Sequence, residues 1–148
     1  MTEKTSIYKS EKDSPGLLLW QTTTNWQREI KSVLLPYKIL HSQFVVLAIL
    51  LWFKENGATA TQKHIVDMSK MDKMNVSKII KNLMQMHIVE SHINEKDSRT
   101  KTISLTSKGS EIAQILVKKI EEVDEKFFGK LSQTERVFFR VATRKLSR

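Results

Sequence analysis

Cysteine does not occur among the 148 residues, and its absence removes disulfide frameworks, thiolate zinc sites, iron–sulfur clusters and thiol nucleophiles together. Sulfur redox chemistry is confined to methionine. Glycine and proline are scarce, at four and two residues, which points to long helices joined by few turns. The longest apolar run is the ten residues from Phe44 to Phe53, about half of the roughly 20 that span a bilayer. It reads as a buried helix, and no membrane partner is expected. The first residues, MTEKTSIYKSEKDSPG, are polar and lack the apolar centre of a signal peptide, so a cytoplasmic location is expected. Acids are the minority charge, 16 Asp and Glu against 25 Lys and Arg, which leaves a net charge of +9. That excess suits a polyanionic partner, nucleic acid or an acidic membrane, without choosing between them.

Enzyme signatures are missing too. There is no nucleophile elbow, Gly-rich phosphate loop or His-Glu-x-x-His motif, so no catalytic residue and no cofactor is expected. His41, His64, His87 and His92 are not spaced as a helical metal pair, and no metal is expected either. Glu121, Glu122, Asp124 and Glu125 read as the solvated face of a helix.

What remains is the layout of a mainly helical domain of ordinary composition, 40% hydrophobic and 28% charged. Residues 1–13 carry three acids and three bases with little apolar content and read as a flexible arm. Ser14-Pro15 opens a first helix, with Trp26, Ile30, Val33 and Leu34 at helical spacing, which Pro36 stops. A second helix over residues 42–55 is apolar on nearly every side and marks the core. Asn56-Gly57 ends it. Thr59, with Gln62 three residues on, reads as the capping box of a short third helix reaching about Met68. Asp72 caps a fourth helix to about Met86, and the short break between these two is that of a helix-turn-helix. Residues 88–93 and 101–105 read as paired strands around a charged tip at 94–100. Thr106 caps a long helix striped with Ile112, Ile115, Leu116, Ile120, Val123 and Phe127. Ser132 and Glu135 box the start of a last helix carrying Val137, Phe138, Val141 and Leu146.

The fourth helix is the informative one. At about 100° per residue, Val76, Ile79, Ile80 and Leu83 fall on one side. Met74, Lys78 and Lys81 fall opposite, flanked by Asn75, Ser77 and Asn82. Ammonium groups suit phosphates, and short polar side chains suit base edges in a major groove. Residues 70–81 hold four Lys, Lys73 among them, against one Asp. A Lys-rich solvent face alone is commonplace. Its weight comes from order: short capped helix, tight turn, basic helix, then a hairpin with Arg99 at the tip, placed to reach a minor groove. Asp97, two residues earlier, is placed to hold Arg99 by a charge-assisted hydrogen bond.

Several segments carry a family likeness. These are Leu40-His41-Ser42-Gln43-Phe44, Thr61-Gln62-Lys63, Asn75-Val76-Ser77-Lys78-Ile79-Ile80-Lys81-Asn82-Leu83 and, most specific, Asp97-Ser98-Arg99-Thr100-Lys101-Thr102-Ile103-Ser104-Leu105-Thr106-Ser107-Lys108-Gly109. From about Ser14 onward the chain resembles the MarR family of winged helix-turn-helix transcriptional regulators. The resemblance implies a single domain over residues 14–148. Residues 14–55 and 107–148 would form a helical dimerisation and core region, and residues 56–106 a winged DNA-binding lobe. It further implies a homodimer on a pseudo-palindromic double-stranded operator, acting as a repressor released by a small molecule. The DNA-contacting set is then Thr61, Gln62, Lys73, Met74, Asn75, Ser77, Lys78, Lys81, Asp97, Arg99 and Lys101. A small aromatic or phenolic effector would lie in a crevice that Trp20, Trp26, His41 and Trp52 are positioned to line, unless these aromatics are simply core. One departure is His87, where the family has Gly before the strand; Gly there serves a left-handed helix end. The competing reading is a winged-helix protein–protein adaptor that offers the basic face to an acidic partner without specific DNA recognition.

Overall fold

The structure is a computed structural model that describes residues 2–148. Met1, the first residue of the expected 1–13 arm, lies outside the described residues. The rest of the arm is exposed apart from the half-buried Ser10, and it is irregular except for one 3-10 turn at Glu11–Asp13. Helix α1 (Pro15–Leu34) starts where expected: the Ser14 hydroxyl accepts from the Leu17 N–H, and Pro15 occupies the first turn, where its missing N–H costs nothing. Leu35–Tyr37 add one 3-10 turn before Lys38 reverses the chain at φ 57°. Helix α2 (His41–Glu55) has no hydroxyl cap; instead the Gln43 carboxamide accepts from the Leu40 N–H at 2.9 Å. Its Phe44, Val46, Leu47, Ile49, Leu50 and Leu51 are buried and form the centre of the core. No single helix among the described residues is long and apolar enough to cross a membrane. The segments Pro15–Tyr37 and His41–Glu55 reach that length and composition only jointly, and they meet at an 81° bend.

The start of the third helix differs from expectation. Ala60–Thr61 form a two-residue strand, β1, and helix α3 (Gln62–Ser69) begins after it. The cap is therefore Thr61, not Thr59: its hydroxyl accepts from the His64 N–H at 3.3 Å, and His64 Nδ1 accepts from the Thr61 N–H at 3.0 Å. Pairing of Ala60 with Ile103 holds the chain extended two residues beyond the point where Thr59 would have opened the helix. Lys70, at φ 61°, turns the chain into helix α4 (Lys73–Gln85), whose N-terminus Asp72 caps by accepting from the Asn75 N–H at 2.8 Å.

Strands β2 (Val89–Ile93) and β3 (Lys101–Leu105) pair antiparallel in the expected hairpin, but β1 adds to the far edge of β3, so the sheet has three strands in the order β1-β3-β2. Helix α5 (Ser107–Phe128) buries Ala113, Leu116 and Ile120, half-buries Ile112, Val123 and Phe127, and leaves Ile115 exposed. Helix α6 (Gln133–Leu146) opens with the expected Ser132/Glu135 box. It is held to the end of α5 by Phe139 against Phe128 and by Arg136, which donates to the Phe128 carbonyl. No residue of α6 is buried.

The junction between α4, β2 and α5 is tight. His87 takes the left-handed conformation at φ 60°, so the family's Gly position keeps its geometry despite the bulkier residue. Thr106 donates to the His87 carbonyl at 2.7 Å while accepting from the Gly109 N–H at 3.0 Å. A Cβ placed on Gly109 would lie 1.9 Å from the Ile88 carbonyl oxygen. Gly109→Ala is therefore expected to lower unfolding free energy by at least about 2 kcal/mol. His87→Gly is expected to raise it by about 0.5 to 1 kcal/mol, by relieving the left-handed strain. Urea titrations of the two variants check both signs.

Candidate nucleic-acid interface

Burial separates the faces of α4. Val76, Ile79, Ile80 and Leu83 are buried, while Lys73, Met74, Asn75, Ser77, Lys78 and Lys81 are exposed. The exposed face forms one side of a shallow hollow lined by Gln62, Lys73, Met74, Ser77, Lys78 and Lys81. A second hollow, of about 590 Å³, lies between the start of α3 and the hairpin and is lined by Thr61, Gln62, Lys63, Val66, Lys73, Arg99, Thr100 and Lys101. Gln62 and Lys73 belong to both. One surface thus runs from the middle of α4 to the hairpin tip, and no carboxylate lines either hollow.

The short strand β1 explains this continuity. By pairing Thr61 with Thr102 it places the first residues of α3 beside the tip end of the hairpin. A two-residue strand has no periodicity to read in a sequence, so the sequence alone does not bring Lys63, Val66 and Thr100 into the DNA-contacting set, although they help line the surface. Lys63 is tied to Asp67 at 2.8 Å, and that hydrogen bond holds the Asp67 carboxyl below its usual pKa. Lys73, Lys78, Lys81 and Lys101 make no ion pair among the described residues.

The hairpin tip is built on its own hydrogen bonds. The Asn94 N–H donates to the Thr100 carbonyl, the Thr100 N–H to the Asp97 carbonyl, and the Asn94 carboxamide to the Thr100 hydroxyl, each at 3.0 Å. Asp97 does not line the basic surface. Its carboxylate accepts from both the backbone N–H of Arg99, at 3.1 Å, and Nε of the same guanidinium, at 3.2 Å. The expected contact is present, and it makes Asp97 a positioning residue for an arginine whose side chain is 90% exposed. Asn75 also lies outside both hollows; its amide reaches back to the Met71 sulfur at 3.6 Å.

The four aromatic residues singled out for an effector crevice do not form one group. Trp26 and His41 meet edge to face, with ring centroids 5.1 Å apart, where α1 meets α2. The Trp26 indole N–H donates to Asp124 on α5 at 2.8 Å. Trp52 stands at the other end of α2 against Phe53, which in turn stacks on His64. Trp20, near the start of α1, is 72% exposed. Among the described residues no three or more His, Asp or Glu side chains are gathered as metal ligands would be.

Residues 36–124 match the family described as the ArnR1-like winged-helix domain. Over 130 residues, 88% of either chain, the sequence is 32% identical to YdcH, an HTH-type transcriptional regulator of Bacillus subtilis strain 168. The chain belongs to the ArnR1-like winged-helix family, among the HTH-type transcriptional regulators. Its fold matches BpsR of Bordetella bronchiseptica with a TM-score of 0.83 at 22% identity, over 96% of this chain and 98% of the other. It also matches a variant of Escherichia coli MarR complexed with operator DNA, with a TM-score of 0.80 at 20% identity, over 95% and 99% of the two chains. In the terms of this MarR-type fold, α3 and α4 are the helix-turn-helix and β2–β3 the wing.

Burial of the His41 ring holds its pKa below the ordinary histidine value, and the Asp124 carboxylate opposes the shift only in part. The native state therefore binds this proton less readily than the unfolded chain does. The stabilisation is complete above about pH 6.5 and is lost as pH falls through that value toward the native pKa. Thermal melts at pH 7.5 and 5.5 are expected to show a larger loss for the wild type than for His41→Phe, which keeps an aromatic ring beside Trp26. Equal losses would remove His41 as the source.

Proposed function

We propose that the chain is a dimeric, sequence-specific DNA-binding regulator. Each copy sets α4 in a major groove and the β2–β3 wing at the neighbouring minor groove of a pseudo-palindromic duplex. The observation that carries this reading is the uninterrupted basic surface from Lys81 through Lys73 to Arg99 and Lys101, with Gln62 and Lys73 common to its two halves. Within it, Thr61, Gln62, Met74, Ser77 and Lys78 offer contacts to bases or backbone, Lys73, Lys81 and Lys101 neutralise phosphate, and Asp97 aims Arg99. Asn75 lies at the rim, close enough to the helix N-terminus to touch the backbone of the duplex.

Dimerisation is assigned to residues 14–55 and 107–148, and DNA binding to residues 56–106. Two groups of exposed apolar side chains support the assignment: Leu17, Leu18, Leu19 and Trp20 on the first turns of α1, and Val137, Phe138, Val141 and Leu146 on α6. Within one copy these groups cover no core, and a second copy is the partner that removes them from water. Two-fold symmetry then spaces the half-sites about one helical turn apart, roughly 34–36 Å.

The regulatory output we assign is repression released by a small aromatic or phenolic molecule. Trp26 and His41, in contact between α1 and α2, are the best-placed pair for such a ligand, and the fold relative BpsR has its DNA binding regulated by 6-hydroxynicotinic acid. Release requires the ligand to favour one spacing of the two reading heads over the other, because equal affinity for both shifts nothing. A cytoplasmic location goes with this reading.

Gel shifts on the duplex upstream of its own gene, against a random duplex, test this reading. Arg99→Ala and Lys78→Ala are each expected to weaken specific binding about tenfold, the weight of one good charge-assisted contact. Lys81→Ala is expected to weaken binding to both duplexes alike and to reduce the slope of log affinity against log salt by about one. Binding no tighter than to random duplex, with the first two variants unaffected, would return the reading to a protein–protein adaptor. Phe138→Glu is expected to give a monomer in sedimentation velocity and to abolish specific binding at concentrations that saturate the wild type.

A further inference from the structure

Met74 is 84% exposed, and nothing in the fold uses its side chain. It is the second residue of α4, just inside the Asp72 cap. It shares a stripe with Lys78 and Lys81, four and seven residues on, and lines the same hollow as Gln62 and Ser77. A long, unbranched apolar side chain standing in water among ammonium, carboxamide and hydroxyl groups contributes nothing to the core. It also contributes nothing to phosphate binding, having neither charge nor a strong donor.

The first turn of a recognition helix is the part that meets base edges. Against those edges an apolar group has one strong complement. The one apolar group larger than hydrogen on the major-groove edge of a base pair is the C5-methyl of thymine. Methionine suits that contact, since three rotatable bonds and a polarisable sulfur let it settle on a methyl without a rigid fit. Opposite a bare acceptor or donor, the same side chain would strip water from a polar group and return no hydrogen bond.

Resting on the DNA-reading role proposed above, we propose that Met74 is a specificity-determining residue that reads the thymine methyl in each half-site. The neighbouring Lys78 and Ser77 supply the polar contacts beside it. The preference for T at that position is then set by burial of apolar surface rather than by hydrogen bonding.

The test separates the methyl from everything else in the base. Duplexes enriched by the wild-type protein from a randomised pool are remade with deoxyuridine for every thymidine, which deletes the methyl and leaves all Watson–Crick groups in place. Wild-type affinity is expected to fall about fourfold for each contacted methyl, the weight of one buried methylene-sized group, and about tenfold or more across two symmetric half-sites. Met74→Ala is expected to bind the two duplexes with nearly equal affinity, and Met74→Leu to keep most of the discrimination. Equal wild-type affinity for the two duplexes, or a thymidine-to-deoxyuridine ratio unchanged in Met74→Ala, overturns the assignment while leaving DNA recognition intact. Failure of the wild type to enrich any duplex overturns the DNA-reading role itself, and the assignment with it.

Discussion

Just beyond the end of α4 the carbonyls of Met86, His87 and Ile88 leave the helical path, and the N-terminus of α5 supplies their partners. The Thr106 hydroxyl donates to the His87 carbonyl, the Thr106 N–H donates to the Ile88 carbonyl at 3.0 Å, and Lys108 reaches the Met86 carbonyl at 3.1 Å. Gly109 lets the two backbones approach more closely than any side chain would permit. This knot joins the end of the reading helix, the first strand of the wing and the start of the long helix at one point. Each element would be marginal alone: α4 is 13 residues long, and the hairpin strands have five each, below what an isolated helix or hairpin sustains in water. The angle between reading helix and wing, and the line from both into α5, follow from these few hydrogen bonds.

Charge plays a narrower part than the total suggests. Residues 60–105 hold eight Lys and Arg against five acids, while residues 106–148 hold ten against six. Most of the excess therefore lies outside the reading head, where it strengthens attraction to a polyanion and its salt dependence without preferring any sequence. Within the head, position decides. Lys63 is occupied by Asp67, whereas Lys73, Lys78 and Lys81 extend from one helix face toward solvent.

What could be read in the sequence was what depends on local chemistry. Ser14, Asp72, Thr106 and Ser132 each precede an apolar-periodic run, and each caps the helix it was expected to cap. A capping side chain acts within three residues and needs no tertiary information. At the third helix two threonines competed, Thr59 and Thr61. The choice was made by a strand partner more than forty residues away, Ile103, which holds Ala60 extended. The candidate interface was legible for a similar reason, because α4 carries its two faces in its own spacing. The aromatic residues were not. Trp20, Trp26 and Trp52 look alike in sequence, yet only Trp26 meets His41, because only there do α1 and α2 bring rings together.

The wing tip carries a consequence for the timing of binding. The Asp97 carboxylate holds both the backbone N–H and Nε of Arg99, which leaves both terminal nitrogens of the guanidinium to point outward. An arginine fixed in this way has already surrendered much of its rotamer freedom, so docking costs less entropy than it would for a free side chain. Its pairing with Asp97 also damps its pull at long range. In the proposed DNA-binding role Arg99 therefore belongs to residence on the duplex rather than to the search for it: encounter would be driven by the unpaired lysines and the charge spread over the rest of the molecule, and the wing would set how long the reading head stays.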